Sequence, residues 1–249
     1  MSNQIHFGVG NAFAKRTDIS NPTPTRFGIL QEISVNFEGA TKEAYGQNTF
    51  PVDVARTTTK VGGSGKMLNI DAVALADLFF GATVTASSGF DIYYDEAHSV
   101  PGSSTYTVTV SHVSGGIQDL GVYYSATGVQ LRRVAASSEA LGLYSVNEGT
   151  GVYTFASADA SAALLFNYKN ASTTYNEMDL SNFLMGSGPV FTFYLTNPYR
   201  GKTFNLILNA CRITKIDFPF KNIDHTVMDF DFSAFTDSAD KLASFATSP

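Results

Sequence analysis

The chain has 249 residues, of which 44% are hydrophobic, and 16 lysines and arginines against 22 acidic residues give a formal charge of −6. This balance argues against a nucleic-acid-binding surface, which needs basic residues to displace phosphate counterions. The apolar content excludes a disordered chain, and no apolar run approaches the roughly 18–20 residues of a membrane helix.

Most segments alternate apolar and polar residues with a period of two and are rich in β-branched and aromatic residues, which predicts strands. The predicted strands are Phe27–Glu38, Ser104–Val113, Val122–Ser125, Val129–Val134, Leu143–Val146, Val152–Phe155, Leu164–Tyr168, Val190–Leu195, Thr203–Leu208, Arg212–Phe218 and Val227–Phe232. Gly, Asn and Ser occupy nearly every gap between them, as expected of hairpin connections.

Two segments are predicted to be loops with a function. Ala12–Arg26 contains Pro22 and Pro24, which exclude a helix and predict an extended arm. Gly39–Gly65 predicts a long, hairpin-like loop, and a loop of this length in a compact domain is usually functional.

One segment has the composition of a helix. Asp71–Phe80 is rich in Ala and Leu, Asp71 can cap its first turn, and Gly81 stands where a left-handed terminating residue is favoured. Near the end of the chain, Ser238–Ala246 predicts a short second helix or an ordered tail.

The predicted fold class is therefore mainly β, a sandwich or barrel flanked by one helix at about 71–80. We expect a single domain over residues 1–249, with a β-rich elaboration at about 87–175.

No motif predicts catalysis, cofactor binding or metal binding. The cluster Gly62–Lys66 is not a phosphate loop, because Lys60 stands in place of the first glycine and Met67 in place of the Ser or Thr. The four histidines, His6, His98, His112 and His225, have no metal-ligand spacing, and the single cysteine, Cys211, excludes an intramolecular disulfide framework. We predict that the protein is not an enzyme and uses no cofactor.

Two acidic residues leave an alternative open. Asp229 and Asp231 lie two apart on a predicted strand and so share a face. Such a pair can be a catalytic dyad or a cation site, but without partners it is more often a solvated acidic face.

Several segments carry a family resemblance. In the first third of the chain they are Ile33–Gly39, Lys42–Gly46, Phe50–Ala55, Gly65–Met67 and the predicted helix; in the last third they are Phe191–Leu195, Leu206–Cys211, Ile216–Lys221 and Met228–Phe235. Together they resemble the tail tube proteins (major tail proteins) of tailed bacteriophages. The resemblance implies a tail-tube-type β domain whose copies form hexameric rings, stacked into a tube through which the genome passes during ejection.

The resemblance also implies partners, location and contact residues. The partners would be the protein itself, tape-measure, tail-terminator and baseplate or tip proteins, and a sheath if the tail is contractile; DNA would pass without specific binding and no membrane would be contacted. The protein would be synthesised in the host cytoplasm and reside in the virion tail. By analogy the long loop reaches a neighbouring subunit or ring, with contact candidates Tyr45, Gln47, Phe50, Val52 and Val54. The acidic candidates for the channel lining are Asp53, Asp229 and Asp231.

The sequence is also compatible with two other functions. The first is another phage β-protein, at the tail tip, in the hub or decorating the head. The second is a carbohydrate-binding β-sandwich module, suggested by the twelve tyrosines and the many Ser and Thr residues.

Overall fold

The alternating pattern forms strands through most of the chain, and the fold is mainly β. The structure is a computed structural model that describes residues 5–69, 72–182 and 184–248. Its strands are β1 (Asn11–Arg16), β2 (Thr25–Arg26), β3 (Leu30–Tyr45), β4 (Pro51–Met67), β5 (Val84–Thr85), β6 (Gly89–Ser99), β7 (Thr107–Thr109), β8 (Ile117–Tyr124), β9 (Arg132–Arg133), β10 (Leu143–Asn147), β11 (Val152–Phe155), β12 (Ala163–Ser172), β13 (Glu177–Met178), β14 (Phe191–Tyr199), β15 (Lys202–Asp217), β16 (Met228–Phe235) and β17 (Ala243–Thr247).

The chain divides into two compact units. The first unit combines Met1–Thr83 with Met178–Pro249, and the second is Val84–Glu177. The first unit contains one antiparallel sheet in the order β2-β1-β14-β15-β16-β4-β3, with β17 pairing to β15 beside β16. Sequence-distant strands are thus neighbours, and the N-terminal hairpin β3–β4 is held to the C-terminal strand β16.

The core of the first unit covers one face of this sheet and is aromatic. On β16, Met228, Phe230 and Phe232 are buried and alternate with polar residues that face solvent. Phe27 stacks on Phe230 with ring centroids 5.2 Å apart, and Phe193 stacks on Phe232 at 5.1 Å. Aromatic pairs stabilise a fold by more than the burial of their apolar area alone, so this row of rings is a main source of stability.

Two glycines of β4 make room for these rings. A Cβ atom at Gly65 would lie 2.5 Å from the Phe230 ring, and one at Gly63 would lie 2.4 Å from the Phe232 ring. Residues 63 and 65 pair with Phe232 and Phe230 across the sheet, so the absence of side chains lets each ring lie flat against the neighbouring strand. The glycine cluster is therefore part of β4, a strand paired on both edges within the sheet.

The predicted helix exists but is short and irregular. It consists of α1 (Ala72–Ala74) followed by a π-helical segment, Leu75–Phe80, whose Leu78 and Phe79 are buried in the core. Gly81 ends it in the left-handed conformation with φ 64°, as the sequence predicted. The predicted cap, Asp71, lies outside the described residues.

The second unit has its own core between two small sheets. A three-stranded sheet has the order β6-β12-β8, and a four-stranded sheet has the order β7-β11-β10-β9. Tyr144, Tyr153, Tyr168 and Phe166 are the largest buried side chains between them.

The structure places strands in both segments that were predicted to be loops. Residues 12–16 of the predicted N-terminal arm belong to β1, because Ala12 and Ala14 alternate onto the core face and pair with β14. The segment Gly39–Gly65 lies in a β-hairpin, as its hairpin-like prediction stated, but most of it is paired strand: β3 runs to Tyr45 and β4 begins at Pro51, with register shifts after Gly39 and after Ala44. Strand pairing satisfies the backbone of this segment where a loop would leave it to solvent.

Other predicted elements differ in type or extent. Ser238–Ala246 is not a helix; its second half belongs to β17, which pairs with β15. Of the predicted strand Ser104–Val113, Thr107–Thr109 alone is a strand, and the two predicted strands between Thr203 and Phe218 are one bulged strand, β15. Strand β6 was not predicted.

Gly65→Ala should destabilise the first unit by about 1–3 kcal/mol, because the new methyl group must displace the buried Phe230 ring. Chemical denaturation followed by circular dichroism measures this change. Gly62→Ala is the matched control: it lies in the same strand, and its nearest neighbour would be a backbone oxygen at 3.3 Å. Equal stabilities for the two variants would contradict the packing of the ring against Gly65.

Candidate assembly surfaces

The β3–β4 hairpin extends beyond the sheet as an arm. Pairing with β16 ends at Val61, but β3 and β4 continue to pair with each other from Glu38 and Lys60 to the tip. We call residues 38–60 the hairpin arm; all of them are exposed except Pro51, which is half-buried. At about 3.3 Å per residue the arm is roughly 25 Å long.

The arm has one apolar face. Glu43 pairs with Val54, and alternation within each strand places Tyr45 on the side of Glu43 and places Val52 and Arg56 on the side of Val54. The register shifts between Ala44 and Tyr45, which pairs with Pro51. The Tyr45 hydroxyl donates a hydrogen bond to the Glu43 carboxylate on this face. This surface of exposed valines and a tyrosine is energetically unfavourable in water, so it is suited to contact with another surface.

The remaining arm candidates lie at the tip or on the other face. Gln47 and Phe50 lie in the turn between the strands, and Phe50 is 81% exposed. Asp53 pairs with Ala44 on the opposite face, and its Oδ1 accepts a hydrogen bond from the Val54 amide at 2.9 Å.

Asp229 and Asp231 belong to a different surface, the solvent side of the sheet. Their strand neighbours are Lys66, which pairs with Asp229, and Lys215, which pairs with Asp231. Lys66 also forms a salt bridge with Glu32, its Nζ lying 2.7 Å from Oε2, and this hydrogen bond raises the pKa of Lys66. We call the surface the polar face; its residues are Glu32, Ser34, Ser64, Lys66, Lys215, Asp217, Asp229 and Asp231. The structure thus brings Asp229 and Asp231 together and leaves Asp53 on the arm.

A half-buried glutamate organises one end of the second unit. Glu96 Oε1 lies 2.5 Å from His98 Nε2 and accepts hydrogen bonds from the Ser111 amide and hydroxyl, while Oε2 accepts one from the Tyr168 hydroxyl. His112 Nδ1 is 3.8 Å from Oε2. Burial would raise the pKa of Glu96, but the hydrogen bonds from Tyr168, His98 and Ser111 outweigh it and lower the pKa to about 2.

A second buried carboxylate crosslinks the two sheets of this unit. The side chain of Asp119 is 4% exposed and accepts hydrogen bonds from the hydroxyls of Tyr144, at 2.7 Å, and Tyr153, at 3.0 Å. Arg133 lies 3.9 Å from Asp119 and 2.8 Å from Glu148. Burial and the neighbouring Asp119 raise the pKa of both tyrosines, so they remain hydrogen-bond donors. Both carboxylates therefore have structural partners that account for their burial.

The other side chains that could ligate a metal or act as a nucleophile do not form a site among the described residues. Among the described residues, no three His, Cys, Asp or Glu side chains are placed to hold a metal ion. Cys211 is fully buried, and burial raises the pKa of its thiol to about 12. Over the same part of the chain, no helix is both long and apolar enough to cross a bilayer.

Comparisons with known proteins add no family. No protein-family model matches the chain, and no curated protein matches its sequence.

Sequence reasoning missed the Glu96 cluster. His98 and His112 are 14 positions apart, too far for a local motif, and they meet at Glu96 because His98 lies on β6 while His112 follows β7. The one local signal was the spacing of Glu96 and His98, two apart on a strand and therefore on the same face.

Glu96→Gln should reduce the loss of the free energy of unfolding of the second unit as the pH falls. The folded pKa of about 2 lies below the ordinary 4.5, so the contribution of Glu96 is complete above about pH 4.5 and is lost as the pH falls toward 2. Unfolding can be followed by the tyrosine signal, since nine of the twelve tyrosines lie in this unit.

The exposed arm residue Glu38 provides the control for this prediction. In Glu38→Gln the free energy of unfolding should fall between pH 4.5 and 2 as steeply as it does in the wild type. If the free energy of unfolding of Glu96→Gln falls with pH as steeply as that of the wild type, the hydrogen bonds to Glu96 do not stabilise its ionised form.

Proposed function

We propose that this protein is a structural subunit that assembles with copies of itself into hexameric rings, which stack as a bacteriophage tail tube and form the channel for genome ejection. The observation that carries the proposal is the hairpin arm, a regular, exposed, amphipathic element with an apolar face that the rest of the chain does not cover. The resemblance of the β3–β4 region and of the C-terminal strands to tail tube proteins supplies the ring and tube geometry.

Energetics supports assembly through the arm. Regular pairing holds β3 and β4 together along the arm, and Tyr45, Phe50, Val52 and Val54 are exposed along it. Soluble monomers seldom expose contiguous apolar surface of this kind, whereas permanent interfaces are rich in apolar and aromatic side chains. In the described part of the chain β3 pairs with β4 alone, and such an open edge is a further surface on which a neighbour can add a strand.

The polar face supports a role as a conduit wall. It carries four carboxylates, those of Glu32, Asp217, Asp229 and Asp231, against two ammonium groups, those of Lys66 and Lys215. A channel that conducts a polyanion must not bind it, and a surface without excess positive charge meets that requirement. We assign Asp229 and Asp231 to the channel lining on this ground, and place the protein in the virion with other tail proteins as its partners.

The purified full chain should form rings or tubes at high concentration. Negative-stain electron microscopy and sedimentation velocity measure this directly, and six-fold rings that stack are the expected result. A protein that stays monomeric under all conditions contradicts the proposal. Rings that never stack favour a tail-tip or hub protein, whose copy number per particle is low.

Phe50→Ser should reduce assembly while leaving the fold intact, because Phe50 is exposed in the subunit and, on this proposal, buried between subunits. Phe220→Ser is the matched control, an equally exposed phenylalanine (78%) that lies off the arm. Equal assembly of both variants would contradict a role for the arm tip.

Deletion of Gln47–Thr58 should leave a folded subunit that does not polymerise. The deletion removes most of the arm, and the remaining pair Gly39–Thr59 would be closed by residues 40–46, a loop of ordinary length. Circular dichroism checks the fold, and electron microscopy checks assembly. Normal tubes from the deletion variant would assign the arm another role.

A further inference from the structure

A groove lies on the solvent side of the first unit's sheet, where β14 and β15 meet the segment that leads into β17. Its volume is about 760 Å³, which is room for several side chains. Its apolar lining includes Val190, Tyr194, Ile207 and Phe235, and the rings of Tyr194 and Phe235 are exposed.

The hydrogen bonds of one aspartate fix the backbone of one wall of the groove. Asp237 Oδ1 accepts hydrogen bonds from the amides of Ala239 and Lys241, at 2.8 and 2.9 Å, and Oδ2 accepts one from Asn209 Nδ2 at 3.1 Å. These donors satisfy the carboxylate without removing its charge: the hydrogen bonds from the Lys241 and Ala239 amides hold the pKa of Asp237 below its ordinary value, so it stays ionised. Lys241 also lines the groove, and among the described residues its ammonium forms no salt bridge. The groove therefore combines these apolar side chains with a larger number of polar ones, and it carries one charge of each sign, Lys241 and the ionised Asp237 with which it interacts.

The hairpin arm has the complementary pattern. Its apolar residues Tyr45, Val52 and Val54 share one face with a carboxylate, Glu43, and a guanidinium, Arg56, so this face also carries one charge of each sign. Because this face is exposed in the subunit, it does not contact the groove of its own chain. The length of roughly 25 Å lets the arm reach another molecule.

We infer that the groove of one copy receives the hairpin arm of the next, with Val52 and Val54 over Tyr194, Ile207 and Phe235 and with Glu43 paired to Lys241. This inference rests on the proposed self-assembly and names the surface on which the arm binds. Arm and groove are different surfaces, so the contact is head-to-tail, and a contact of this kind joins successive copies into a ring or a stack. It gives one reason why apolar side chains of the arm and of the groove are both exposed in the single chain.

Charge reversal tests the contact in the full chain. Glu43→Lys and Lys241→Glu each place like charges together, and each should raise the critical concentration for assembly about tenfold or more. The double variant Glu43→Lys/Lys241→Glu restores an opposite pair and should assemble at close to the wild-type concentration. Lys42→Glu is the control: it lies next to Glu43 on the other face of the arm and should have little effect.

A crosslink gives a second readout that does not depend on charge. Val54→Cys combined with Ser244→Cys, which lines the groove, should yield a ladder of disulfide-linked oligomers after mild oxidation of assembled protein. The native Cys211 thiol is buried, so it does not compete. Neither cysteine variant alone should give the ladder.

The outcomes separate the two proposals. If the wild-type chain never assembles, the proposed function fails and the groove contact fails with it. If the wild-type chain assembles but the double charge reversal rescues nothing and no ladder forms, the arm binds elsewhere and this inference alone is overturned. Circular dichroism of each variant shows that lost assembly does not reflect a lost fold.

Discussion

The contact of Phe230 and Phe232 with Gly65 and Gly63 fixes the position of the whole β3–β4 hairpin. The two rings occupy the space that Cβ atoms would fill, so β4 lies against β16 in one register. A shift by one residue would place Ser64 or Lys66 under a ring and turn the polar face toward the core. The register in turn determines which residues continue into the hairpin arm, and on which face of it they lie.

The arm is the consequence of a hairpin that is longer than the sheet that holds it. Strands β3 and β4 are about twice as long as β16, and the excess carries its hydrophobic residues into solvent. A hairpin alone is marginally stable in water, so an exposed one of this length is best stabilised by burial in an interface. This reasoning connects the buried glycines to the proposed assembly: the core anchors one end of the hairpin, and a neighbouring copy would cover the other.

The second unit is stabilised in a different way. Its core relies on tyrosines whose hydroxyls donate to buried carboxylates, Asp119 in one place and Glu96 in another. Each carboxylate is satisfied by several donors, which offsets the cost of its burial. The arrangement makes this unit sensitive to acid and gives its two sheets a defined packing.

The sequence by itself determined the class of fold, which is mainly β. Period-two alternation predicted the strands around Phe230 and Phe166, and Gly81 predicted the end of the helix, because these signals are local. The candidates Tyr45, Phe50, Val52 and Val54 came from the resemblance to tail tube proteins, and all four are exposed in the structure.

Only the tertiary structure decided what those residues do together. The glycine run Gly62–Gly65 has no strand propensity of its own and becomes a strand because the rings of β16 need the space. Residues 12–14 form a strand because β14, nearly 180 residues later, offers them an edge. The meeting of His98 and His112 at Glu96, and the groove beneath Asp237, likewise depend on long-range pairing. Long-range contacts determine these positions, and local sequence patterns do not predict such contacts.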